Sequence, residues 1–362
     1  DLLDTGLMVN SLRKSRSFNF LYLNHYIYNM NKLLLLLVIP LFSISQDDCT
    51  MILNKGFQCV EGDCDNGFGT FVFSWSEQYK GEWNSGKANG YGTYIKDDIC
   101  YVGHFKNAFK HGQGAQYWPN GAYYVGDFQD NTMNGKGTYT WPSGTKHQGD
   151  WSNGYMNGQG IFTWVSGDQY IGEFKNDNFH GQGSKKWSNG DVYRGQWKDG
   201  KRNGEGIQIW ANGDEYIGEW ENDERNGQGK QNWINGSKYN GTWTGSQLDQ
   251  YHHALPYSEK SSFNGEGNYI DSVGNEYTGM WWMGKRSGSG TQIWVNGNQY
   301  IGGWEDNQRN GKGTQTWKDG DQYVGQWKDD KRTGEGIYTW KKNESQFDGK
   351  WIKNKPVSGR YK

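Results

Sequence analysis

One spacing governs this sequence: a Tyr-x-Gly-x-(Trp/Phe) segment returns about every 23 residues. It begins at Tyr79, Gly81 and Trp83 and recurs at Tyr101, Tyr124, His147, Tyr170, Tyr193, Tyr216, Tyr239, Tyr277, Tyr300 and Tyr323, with a partial copy at Phe347. A fixed period of this size is the mark of a repeat architecture, in which each unit buries its apolar face only by stacking on its neighbours. Within a copy, Gly-x-Gly follows the Tyr, as at Gly181 and Gly183, and a second Trp follows that, as at Trp187, before a turn such as Asn189-Gly190.

Parity turns the spacing into geometry. Side chains of a strand alternate between faces, so Tyr170, Gly172 and Phe174 share one face, and Gly181, Gly183 and Trp187 share one on the following strand. The same reading places Tyr193, Gly195 and Trp197 together, and Gly204, Gly206 and Trp210 together. If both strands turn these residues the same way, each large ring rests on bare backbone and covers it. The Asn-Gly pairs, such as Asn120-Gly121, Asn212-Gly213 and Asn296-Gly297, are expected to supply the positive φ of a tight hairpin. The other connection, for example Lys198 to Asn203, reads as a polar loop of six residues.

Composition agrees with an ordered sheet that has no ordinary core. Only 33% of residues are apolar, while Gly, Trp and Tyr number 55, 20 and 24. Abundant rings argue against disorder, and no segment carries a helical apolar stripe. A one-layer sheet has no second layer to bury its aromatic rows, so part of them is expected to face solvent, a partner or another copy. With 38 basic and 40 acidic residues interspersed, nothing in the charge attracts nucleic acid.

These residues resemble the MORN repeat, and Tyr193, Gly195, Trp197, Gly200, Gly204 and Gly206 match its pattern fully. The resemblance covers residues 79 to about 351 in eleven copies, with a degenerate copy at Gly67 to Trp75. It implies an all-β fold, an elongated, curved single-layer antiparallel sheet of hairpins with an aromatic-lined groove. It also implies a scaffold that binds protein, self-associates or meets phospholipid head groups.

Ahead of the array, Met30 to Ser45 has a short positive region, the apolar run Leu33 to Phe42 and a small-x-small site at Ser43 and Ser45, the form of a signal peptide. It resembles Gram-negative export signals, which places the mature chain in the periplasm or outside the cell. The expected organisation is therefore upstream or disordered sequence without function at 1–29, a signal at 30–45 and a cysteine-containing cap at 46–78. The array follows at 79–346, and a partial capping repeat at 347–362 ends it. In an exported protein Cys49, Cys59, Cys64 and Cys100 suggest disulfides; of three pairings, Cys59 with Cys64 is preferred, and zinc is the sharper alternative.

One feature breaks the array. The repeat at Tyr239 carries about 15 extra residues, and the insertion 244–264 contains Tyr251, His252, His253 and Tyr257. These make a candidate recognition loop, since long loops on rigid scaffolds carry binding. Catalysis or metal binding by the two histidines lacks a Cys or carboxylate cluster to complete it. The recurring Asp168, Asp191, Asp214 and Asp321 read as turn chemistry, because a hydrolase needs a unique pair. Gly-x-Gly without a third glycine or a following helix makes no dinucleotide loop. No enzyme and no cofactor are expected; a glycan remains a possible partner beside protein and phospholipid.

Overall fold

The computed structural model describes residues 49–51, 58–245 and 262–362. Among them are 26 strands and no helix, in an open antiparallel sheet of successive hairpins. The described residues fall into two compact units, those up to Pro142 with Gln148–Gly154, and Ser143–His147 with those from Tyr155 onward. In the first, hairpin follows hairpin from Gln58–Gly62 and Gly67–Ser74 to Tyr123–Gln129 and Thr132–Thr140. In the second the same plan runs to Gln346–Ile352 and Lys355–Tyr361.

The repeat of Val192–Lys198 and Lys201–Ile209, followed by Glu215–Glu221, shows how the sequence produces this. Gly195 pairs with Gly206, and Gly206 with Gly218, so bare backbone meets bare backbone across three strands. The Tyr193 ring fills the space left over Gly195 and Gly206, where a Cβ on either glycine would overlap it. Its hydroxyl donates to the Gln196 carbonyl at 3.0 Å, which satisfies the one polar atom the ring buries.

Tight turns fall at the opposite end from the one the sequence suggests. Lys198 pairs directly with Lys201, leaving only Asp199 and Gly200 between them, at φ of +50° and +81°. This is the two-residue hairpin whose left-handed pair matches strand twist. The expected six-residue loop from Lys198 to Asn203 is therefore absent. At the Asn-Gly end only the glycine is left-handed: Gly190 has φ +99°, its N–H donates to Trp187 O at 3.0 Å, and Trp187 N–H donates to Asp191 O at 2.9 Å.

Strand parity is broken by a bulge. Register slips between Gly172 and Glu173, and likewise between Gly195 and Trp197. The bulge turns Gly181 and Gly204, at φ +56° and +71°, toward the other face, where an added Cβ would meet Glu173 or Gln196. Gly183 and Gly206 keep the ring-bearing face, as expected. A bulge inserts residues without changing the spacing of the letters, which is why alternation alone misplaces these two glycines.

Candidate functional site

The ring-bearing face is closed. Tyr193 is 0% exposed and Trp197 is 5% exposed, and the tyrosines at this position from Tyr79 to Tyr323 are all buried. Each tyrosine stands edge-on to the Trp or Phe of its own repeat and to that of the next: Tyr193 lies 5.1 Å from Trp197 and 5.5 Å from Trp220, at 88° and 86°, and Tyr101 lies 5.1 Å from Phe105 and 4.9 Å from Phe128. Such pairs add about 0.5–1.5 kcal/mol each beyond area burial. Over them lies an arginine that the sequence reading missed. The Arg202 guanidinium sits 4.1 Å from the Trp220 ring, donates through Nη2 to Asp223 O at 2.8 Å and through Nη1 to Gln208 Oε1 at 3.0 Å.

The same lid recurs with Arg225, Arg286, Arg309 and Arg332, and its signal in the sequence was an Arg nine residues after the Tyr of five repeats. In two repeats a ring takes its place: Phe179 stacks on Tyr170 at 3.9 Å and Phe263 on Tyr239 at 4.0 Å. In the early repeats Ala88, Lys110 and Met133 stand there. The expectation of a solvent-facing aromatic row thus fails for the tyrosines and their first tryptophans. From Tyr170 on, the arginine or phenylalanine does the work of a missing second layer.

It holds for the later tryptophans. From Trp164 to Trp340 these are half-buried, each at the start of an Asn-Gly-type turn. The residue after them stands out from the turn: Val165 is 73% exposed, Ile234 72% and Val295 61%. Ile234 leans over Gly213 of the preceding turn and Val295 over Gly274, so consecutive tips touch. One part of this rim holds a cation, with Lys185 Nζ 4.7 Å from the Trp164 ring and 5.0 Å from Trp187; burial holds this amine below its ordinary value.

The acidic residues at these turns do more than shape them. Asp168 Oδ1 accepts from Ser188 N at 2.7 Å, Asp191 from Ala211 N at 2.8 Å, Asp214 from Ile234 N at 2.8 Å and Asp321 from Lys341 N at 2.9 Å. Each carboxylate therefore ties its turn to the next repeat. The bond from Ser188 N–H also holds the Asp168 carboxyl below the usual range.

The opposite face is open along its middle. The residue after each tyrosine and the residue after each Gly-x-Gly pair across strands there, as Ile217 with Ile207 and Val324 with Ile337. Near the start of the array this face is covered by the chain itself. Cys49 bonds to Cys100, Gln78 Nε2 donates to Thr50 O at 2.9 Å, and Cys49 and Met51 pack on Ile95, Cys100 and Val102. The second disulfide joins Cys59 and Cys64, whose Cα atoms are 6.0 Å apart. No cysteine is free, so no thiolate is left for the zinc alternative.

Among the sequence-derived residues, Tyr170, Gly172, Phe174 and Gly183 meet in one ring-on-glycine cluster, and Tyr193, Gly195, Trp197 and Gly206 meet in the next. Trp187 and Trp210 stand on the rim, while Gly181 and Gly204 serve the bulges. Tyr251, His252, His253 and Tyr257 lie outside the described residues, as does the 30–45 segment. The insertion enters where a two-residue turn would otherwise stand. Thr244 still pairs with Ser262, and Trp243 with Phe263, so register survives it.

The MORN repeat profile matches ten segments: 79–98, 101–123, 124–146, 147–169, 170–192, 193–215, 216–238, 277–299, 300–322 and 323–345. No curated protein sequence matches. Among solved structures, the TCP domain of Drosophila melanogaster SAS-4, in complex with a proline-rich motif of Ana2, is 12% identical. That match covers 53% of this chain and 90% of that one at a TM-score of 0.29. The TCP10 domain of Danio rerio CPAP, in complex with a STIL peptide, is 9% identical over 69% and 94% of the two chains at 0.24. A likeness this distant carries nothing further. The repeats that match the profile span most of the chain and place rings, glycines and turns at one recurring period: the chain belongs to the MORN-repeat family.

Proposed function

We propose that this protein is an exported, non-catalytic repeat scaffold that binds a partner protein along its tryptophan rim, with the 244–264 insertion as an added contact. The observation that carries the reading is the row of half-exposed indoles flanked by the bare tips Val165, Ile234 and Val295. Apolar side chains placed in a row on a rigid backbone mark an interaction surface. Export is supported by the two disulfides, which persist in oxidising compartments. The aromatic groove implied by the family resemblance narrows to this rim, because the tyrosine face is filled by its own rings and arginines.

The test is cross-linking pull-down from an envelope fraction with the intact chain, an Ile234→Asp/Val295→Asp variant and a chain lacking 244–264. Partners captured by the intact chain and lost from the double variant support the rim. Identical partners in all three samples overturn both the rim and the loop.

A second reading, contact with a membrane surface, is favoured by the same tips, since Trp rings beside exposed Val and Ile suit a lipid interface. Liposome co-sedimentation across salt separates them. Rim-dependent sedimentation that rises with anionic lipid and falls with salt selects the membrane.

A further inference from the structure

The glycine pairs leave a trough on each side of the sheet. On one side the tyrosine rings fill it; on the other it lies open over residues 299–339. Around Gly313 and Gly325 the empty trough is a shallow cavity of about 460 Å³, walled by Thr314 and Val324 on one flank and by Lys312, Gln326 and Glu335 on the other. Ile301, 50% exposed, and Val324, 45% exposed, continue the apolar flank from repeat to repeat, and Ile337 pairs with Val324. The equivalent residue near the start of the array, Val102, is 2% exposed because the Cys49–Met51 segment covers it.

That covered stretch shows what suits the surface. Three consecutive residues reach Gln78, Ile95 and Cys100, which lie on three successive strands, Glu77–Asn84, Lys87–Lys96 and Ile99–Lys106. The segment is in no strand itself and is held by side chains of neighbouring strands instead of by backbone pairing. Its backbone carbonyl takes a side-chain amide, and its apolar side chains settle on the aliphatic flank. Downstream, Gln299 and Gln322 stand where Gln78 stands, directly before the buried tyrosine; the Gln322 amide is held only by Thr316 Oγ1 at 3.3 Å.

Spacing chooses among extended chains. One repeat adds two strands, roughly 9.6 Å across the sheet at about 4.8 Å per strand. A polyproline II helix turns once in three residues, roughly 9.3 Å, so every third side chain returns to the apolar flank in step with the repeats. A β-strand ligand, with like-facing side chains roughly 6.7 Å apart, falls out of step within one repeat. Polyproline II also leaves its carbonyls unbonded, which gives the glutamine amides something to hold. We infer that the tyrosine-free face of residues 299–339 docks a polyproline-type segment of a partner protein, apolar at every third residue and lying across the strands. This surface is separate from the tryptophan rim.

The test is fluorescence anisotropy of the full chain with a labelled (Val-Pro-Pro)5 peptide, and with (Val-Thr) and (Gly-Ser) peptides of equal length. Ile301→Asp and Val324→Asp alter exposed side chains, and circular dichroism checks that each variant keeps its sheet. The expected result is binding of (Val-Pro-Pro)5 alone, weakened at least tenfold by either variant and unchanged by Ile234→Asp on the rim. Failure of (Val-Pro-Pro)5 to bind, equal binding of the (Val-Thr) peptide, or affinity indifferent to both face variants overturns the inference. Loss through the rim variant overturns it as well. None of these outcomes bears on the pull-down that tests the rim.

Discussion

At Gly183 the Tyr170 ring already occupies the volume a side chain needs, and a Cβ there would overlap its Oη, Cζ and Cε2 atoms. Gly183→Val must therefore push a fully buried ring off the sheet. The expected loss is more than about 1 kcal/mol by denaturant unfolding. Asn178→Ala, which removes an exposed amide bonded only to Asn176 O, should cost far less. Equal losses would contradict the packing of ring on glycine. The same burial has a pH consequence. It raises Tyr300 and Tyr323 to about 12, desolvation being the main cause. An unfolded tyrosine ionises near 10, so between these values the unfolded chain holds fewer protons than the folded one. Stability is fully retained below about pH 10 and falls as pH rises toward about 12. Tyrosinate absorbance should then rise together with the loss of β-sheet dichroism. Ionisation of most tyrosines well before unfolding would show that the rings are not sealed.

Between elements, bonds that join repeats sit at both ends of the hairpin Val192–Lys198 and Lys201–Ile209. At one end Asp223 Oδ1 accepts from Arg202 N at 2.9 Å, and at the other Asp191 Oδ1 accepts from Ala211 N at 2.8 Å. Asp191→Ala leaves that N–H to water and should cost about 0.5–1.5 kcal/mol. Hydrogen exchange should quicken at Ala211 and its neighbours while residues two repeats away keep their rates; a uniform change along the chain would refute a local tie. How much of this was legible depends on what each contact leaves in the letters. Tyr170 over Gly183 was legible because strand parity connects them directly. The exchanged turn types were not, since Asp199-Gly200 and Asn189-Gly190 look alike as text and differ only in which residue is left-handed. Gly181 and Gly204 were misplaced because a bulge flips a face without altering a spacing. The arginine lid was legible in principle, as Arg202, Arg225, Arg286, Arg309 and Arg332 keep the period, but a cation nine residues from a tyrosine suggests a solvated surface until the next repeat's indole is placed beneath it.

For the molecule as a whole, stacking only against neighbours makes stability a sum of local terms, so its two compact units need not melt together. The first unit has a tie that the second lacks. Cys49 and Cys100 are 51 positions apart, and closing a loop of that length removes chain entropy worth up to about 4 kcal/mol from the unfolded state. The bond also fixes the Cys49–Met51 segment over Ile95 and Val102, so breaking it uncovers apolar surface in the native state. Both effects act on the first unit alone. A Cys49→Ser/Cys100→Ser variant should therefore bring forward the melting of the residues before Pro142, while the repeats after Tyr155 keep their wild-type transition. Calorimetry with site-resolved hydrogen exchange checks this. A single transition shifted as a whole would mean that the array unfolds as one body, and repeat stability could then no longer be treated as local.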